Sequence, residues 1–67
     1  MIKNLSPREQ EIFDYMLEGL TNAQIAEKAC VTIETVKAHL KSTYKKLNVK
    51  NRVQAILYIL KNSAQNF

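Results

Sequence analysis

Apolar residues along this chain recur at helical spacing, and four such segments are separated by clear punctuation. Ile12, Phe13, Met16 and Leu17 stand at i, i+1, i+4 and i+5, which is one face of a helix. The run Ser6-Pro7-Arg8-Glu9 opens that helix. Ser6 can cap it, Pro7 suits the first helical position, and Glu9 can reach back to the N–H of the cap. Gly19 is the only glycine, and it stands where a left-handed residue would end the helix, with Leu20 packing back. Thr21 with Gln24 repeats the capping pattern and opens a short helix ending near Ala29, its inner side made of Ile25, Ala26 and Ala29. Cys30 and Val31 form a tight connection. Thr32 then caps a third helix running to about Leu47.

On that third helix, Ile33, Val36, Leu40, Tyr44 and Leu47 fall within an arc of about 80° and form the expected core face. Lys37, Lys41 and Lys45 recur every four residues and fall in a second arc. After a turn at Asn48-Val49-Lys50, Asn51 caps a fourth helix, with Gln54 at the box position. Val53, Ala55, Ile56, Leu57, Tyr58, Ile59 and Leu60 make this helix apolar on more than one side. Ala55, Ile56 and Ile59 are expected to face inward, and Val53, Leu57 and Leu60 share another face. One buried face is enough for a terminal helix. The surplus points to a second partner surface, most simply another copy of the chain. The ends, residues 1–4 and 62–67, read as frayed.

With 67 residues the chain is at most one domain, with a core spanning about residues 4–61. One glycine, one proline and many helix formers fit an all-α fold. A single Cys30 and a single His39 make neither an internal disulfide nor a metal-ligand set, so no cofactor or metal is expected. Apolar runs stay far short of the roughly 18–20 residues of a membrane span, and no secretory signal opens the chain. A cytoplasmic location is the expectation.

Charge is sorted along the chain. Residues 1–34 carry six acidic and three basic groups; residues 35–67 carry seven basic groups and no acidic one, so the halves net −3 and +7. A solvated surface usually mixes signs, so the second half reads as a footprint for a polyanion. Residues 21–41 supply two helices joined by a short turn, the second one basic, which is the helix-turn-helix arrangement. A helix fits the major groove of DNA, and lysines reach guanine N7/O6 and phosphates. Phe13, Tyr15, Tyr44 and Tyr58 do not cluster in the basic segment as they would in a single-strand binder, and they read as core or interface. No nucleophile or carboxylate is patterned with His39, and nothing supports an enzyme.

Several short motifs follow in order: Leu5-Ser6-Pro7-Arg8-Glu9, Glu18-Gly19-Leu20-Thr21-Asn22, Ile25-Ala26, Thr35-Val36-Lys37-Ala38-His39, and Lys46-Leu47-Asn48-Val49-Lys50-Asn51-Arg52. Together they resemble the LuxR/GerE-type DNA-binding domain over about residues 4–61. The resemblance implies a four-helix transcription regulator whose third helix enters the major groove and whose fourth helix mediates dimerisation on inverted-repeat DNA. It places base reading at Lys37, Ala38 and Lys41. It places contacts to the DNA backbone at Asn22, Thr32, Thr35, His39, Lys50, Asn51 and Arg52. Charge and helical spacing add Lys45 and Lys46. The dimer interface is expected at Val53, Leu57 and Leu60. Double-stranded DNA and a second copy are the expected partners, with RNA polymerase a further one, and no small-molecule ligand is expected in this segment.

The chain departs from the family pattern at two places. Cys30 stands where the turn usually carries glycine, and Ile33 where a polar residue is usual. The plain reading of Cys30 is a small residue filling a tight turn; a redox-sensitive thiol is the sharper one. Two other functions compete with the main reading. One is a promoter binder like region 4 of a sigma factor. The other is a helix-turn-helix interaction module that pairs with a larger regulator; its expected mark is a weak basic row, which this chain does not show. The chain is either a small autonomous regulator or the C-terminal part of a longer protein.

Overall fold

Ser6 and Thr21 each close a capping box in the computed structural model, which describes residues 4–64. Ser6 Oγ accepts from the Glu9 N–H at 3.1 Å while Glu9 Oε1 accepts from the Ser6 N–H at 2.9 Å. Thr21 and Gln24 do the same at 3.2 and 2.8 Å. Each box satisfies two N–H groups that a helix start leaves orphaned, so both helices begin where the sequence places them. The elements are α1 (Pro7–Leu17), α2 (Asn22–Ala29), α3 (Ile33–Leu47) and α4 (Arg52–Ala64), with no strand among the described residues. At the start of α4, Asn51 Oδ1 accepts from the Gln54 N–H at 2.9 Å. Gln54 Oε1 reaches the N–H of Lys50, one residue before the cap, and so pins the preceding turn.

Three helices end in the same way. Gly19, Cys30 and Asn48 take positive φ values of 93°, 58° and 60°. At each end the left-handed residue donates to a carbonyl three back: Gly19 to Met16 O, Cys30 to Glu27 O, Asn48 to Lys45 O. The following residue donates five back: Leu20 to Tyr15 O, Val31 to Ala26 O, Val49 to Tyr44 O. This is the Schellman arrangement, and Leu20, Val31 and Val49 supply its hydrophobic contact by packing on the core. Cys30 stands where the family pattern usually carries glycine. Cys30 adopts the left-handed conformation itself, a departure that costs an L-residue about 1 kcal/mol.

The core joins all four helices: Ile12, Phe13 and Met16 from α1, Ile25, Ala26 and Ala29 from α2, Val36, Leu40 and Leu47 from α3, Ala55 from α4. Ile12, Phe13, Ile25 and Val36 are fully enclosed, and each contributes about 1.5–3 kcal/mol by leaving water. Ile56, Ile59 and Tyr44 pack against this core from its edge.

Two expectations are corrected. Ile33 was expected on the core face, but it is 41% exposed. The α3 part of the core begins at Val36, and Ile33 sits one turn earlier, at the helix end. Fraying was expected at residues 62–67, yet α4 continues to Ala64, and Asn62 Nδ2 donates to Tyr58 O at 2.7 Å. Asn4 lies in a turn, whereas the expectation for residues 1–3 and 65–67 falls outside the described residues.

Candidate nucleic-acid interface

Lys37, Lys41 and Lys45 line one side of an open groove of about 720 Å³, which α3 forms with the α3–α4 turn and the start of α2. Leu40, Tyr44 and Val49 are the apolar part of its lining, and Asn22, Asn48, Lys50, Asn51 and Arg52 complete it. The helical period puts the three lysines in a row. The left-handed turn at Asn48 then ends the helix, and Lys50 and Asn51 beyond it line the same groove. Among the described residues, Lys41, Lys45 and Lys50 have no carboxylate within ion-pair distance. Lys37 meets only Glu34, at 3.9 Å between two exposed groups, a pair that contributes at most about 0.5 kcal/mol. The groove therefore combines ammonium and amide groups with apolar side chains. Such a surface suits a ligand with regularly spaced anionic oxygens. Burial raises the Tyr44 phenol above its usual pKa, and the nearby Arg52 charge opposes that shift.

The structure separates the remaining candidates. Ala38 is exposed on α3 and His39 is half-buried, and neither lines the groove. Thr32 and Thr35 lie at the N-terminus of α3, where Thr32 Oγ1 accepts from the Thr35 N–H at 3.1 Å and the two hydroxyls sit 2.9 Å apart. Both threonines therefore have a local role in starting the helix.

Two basic residues are held inward. Lys46 Nζ lies 2.6 Å from Glu9 Oε1, and Ser42 Oγ donates to Glu9 Oε2 at 2.6 Å. The Lys46 ammonium is thus shared with a carboxylate, unlike those of Lys41, Lys45 and Lys50 among the described residues. The Lys46 ammonium, the Ser42 hydroxyl and the Ser6 N–H, in that order, pull the Glu9 carboxyl from 4.5 down to about 2. Arg52 lines the groove, but its Nη2 donates to Met16 O at 3.3 Å and Leu20 O at 3.2 Å, closing the end of α1. Arg8 does the same for α2 through Ala29 O at 3.0 Å. Both arginines of the chain thus serve as tethers, Arg8 between α1 and the end of α2, Arg52 between the start of α4 and the end of α1.

Sequence reasoning missed Asn48, Leu40 and Val49 as groove residues and placed Tyr44 only in the core or an interface. Tyr44 stands at the edge of the core arc nearest the lysines, which was the available signal. On α4, Val53, Leu57 and Leu60 are 66%, 57% and 60% exposed and form an apolar strip on the molecular surface.

A family model described as bacterial regulatory proteins of the luxR family matches residues 3–59. The transcriptional regulatory protein LiaR of Bacillus subtilis is 41% identical over 96% of this chain and 30% of its own length. The nitrate/nitrite response regulator NarL of Escherichia coli K12 is 38% identical over 87% of the chain and 27% of its own length. Among solved structures, the response regulator ChrA of a heme-sensing two-component system is 40% identical, with a TM-score of 0.80, over 94% of this chain and 31% of that one. The chain thus spans less than a third of each of these relatives.

Proposed function

We propose that this chain, which belongs to the luxR family of bacterial regulatory proteins, binds specific double-stranded DNA by placing α3 in the major groove. The family is one of transcriptional regulators and not of enzymes, and a helix-turn-helix made by α2 and α3 fits that role. One observation carries the reading: Lys37, Lys41, Lys45 and Lys50 line one groove, and among the described residues only Lys37 of the four has a carboxylate within ion-pair distance, at 3.9 Å. Lys37 and Lys41 donate to guanine edges, and Ala38 either touches a thymine methyl or permits close approach to a base pair. Asn22, Thr32, Thr35, His39, Lys45, Lys50 and Asn51 hold the DNA backbone, and a helix N-terminus assists at Asn51. Arg52 contributes mainly by fixing the end of α1 beside the groove.

A second copy binds through the apolar strip of Val53, Leu57 and Leu60, so the functional unit on DNA is a dimer on an inverted repeat. Two half-sites supply the effective concentration that a small interface needs. RNA polymerase is a further partner in that setting. No helix among the described residues is long and apolar enough to cross a membrane.

The test is selection from a random duplex pool. An enriched, roughly palindromic sequence supports the reading. Capture of protein partners with no enriched duplex would favour a protein-interaction module.

A further inference from the structure

Ile33 is an apolar, branched side chain in the first turn of α3, and it is 41% exposed although its spacing suits a core position. The residues on its exposed side are Glu34, Lys37, Ala38 and Lys41, all solvent-facing. With Ile33 they cover an arc of about 140° on the helical wheel, the surface that the lysine row presents. When a recognition helix lies in the major groove, its N-terminal residues come closest to the base edges. An isoleucine there has no hydrogen bond to give. The major-groove feature that rewards an alkyl group is the C5-methyl of thymine.

We propose that Ile33 is a specificity-determining residue that packs on a thymine methyl in each half-site, next to the base pairs addressed by Lys37 and Lys41. This rests on the DNA-binding reading above and adds a thymine requirement to it. The ligand is thus a duplex half-site that combines G·C pairs, read by ammonium donors, with a thymine, read by Ile33. In water the Ile33 side chain gains nothing from its position, whereas against a methyl group both apolar surfaces leave solvent.

The test uses the 67-residue chain and the duplex that it selects. Each thymine of the selected half-site is replaced in turn by uracil, which keeps the pairing and the O4 acceptor and removes only the methyl. One replacement per half-site is expected to weaken binding about three- to fivefold, the effect of losing one buried methyl contact. Ile33→Ala is expected to bind the thymine and uracil duplexes equally at that position while keeping its preference at the guanine positions. The variant's helix content and melting temperature provide the folding control, and an exposed first-turn position should leave both unchanged. Thymine preference that survives in Ile33→Ala and disappears in Ala38→Gly would assign the methyl contact to Ala38 and overturn the proposal. A selected site with no methyl-dependent position would also overturn it. If no duplex is selected at all, the DNA-binding reading falls first.

Discussion

Lys46 Nζ lies 2.6 Å from Glu9 Oε1, a contact that joins α3 to the first turn of α1 across 37 residues of sequence. The same carboxylate closes the capping box of Ser6 and accepts from Ser42, so helix start and helix packing share one group. The Glu9 pKa is held at about 2 instead of 4.5, so the unfolded chain binds this proton more tightly than the folded one. Stability from this group is fully present above pH 4.5 and is lost as pH falls toward 2. Lys46 is partly exposed, and after solvent screening the contribution is on the order of 2 kcal/mol. Lys46→Ala should therefore be less stable near neutrality and lose less on acidification. Thermal melts across the acid range check this, and parallel curves for the two proteins would count against it.

Thr43 is fully enclosed, and its hydroxyl has no hydrogen-bond partner among the described residues. Replacing both the hydroxyl and its desolvation cost with a methyl of similar shape should be neutral or stabilising. Thr43→Val is expected to gain up to about 1 kcal/mol in a urea titration. A clear loss of stability would show that the hydroxyl is satisfied.

Arg52 and Lys50 should separate cleanly. Arg52→Ala removes the donor to Met16 O and Leu20 O and should cost about 1–2 kcal/mol of stability without any DNA present. Lys50→Ala should leave the melting temperature unchanged and lower the salt dependence of DNA binding by about one counterion. An Arg52→Ala variant of unaltered stability would return Arg52 to a purely surface role.

Lys41→Ala should relax base preference at one or two positions and cost about 1–3 kcal/mol on the best sequence. Uniform weakening over all sequences would mean that Lys41 touches phosphate only. Affinities for a panel of single-base variants of the selected duplex give the answer.

Leu57→Glu places a charge in the exposed strip of α4. Binding to a duplex with two half-sites should fall much further than binding to a single half-site. Equal loss on both duplexes would count against a dimer contact at this strip.

Much of the fold was legible because its signals are local. The boxes at Ser6 and Thr21, the glycine at 19 and, from Val36 onward, the core arc of α3 each act within a few residues, and each appears where its spacing places it. What stayed hidden depends on distance in the sequence. The tie from Lys46 and Ser42 to Glu9 and the two arginine tethers become visible only once α1 lies against its neighbours. Ile33 was misplaced because a helical wheel carries no information on where the packed core stops along the axis. Lys46 belonged to the basic segment by charge, but its position four residues after Ser42 puts both on the side facing α1. Charge sorting picked out the basic segment that lines the groove and could not distinguish free lysines from engaged ones.

The central claim is that the groove between α3 and the α3–α4 turn is the DNA surface. Amide chemical-shift mapping of the labelled chain, titrated with its selected duplex, tests this most directly. The account predicts that the changes concentrate at Asn22, at residues 32–45 and at residues 50–52, with little change along the acidic outer side of α1 at Glu11, Asp14 and Glu18. Changes centred on α1, or spread evenly over the chain with no maximum along α3, would contradict it.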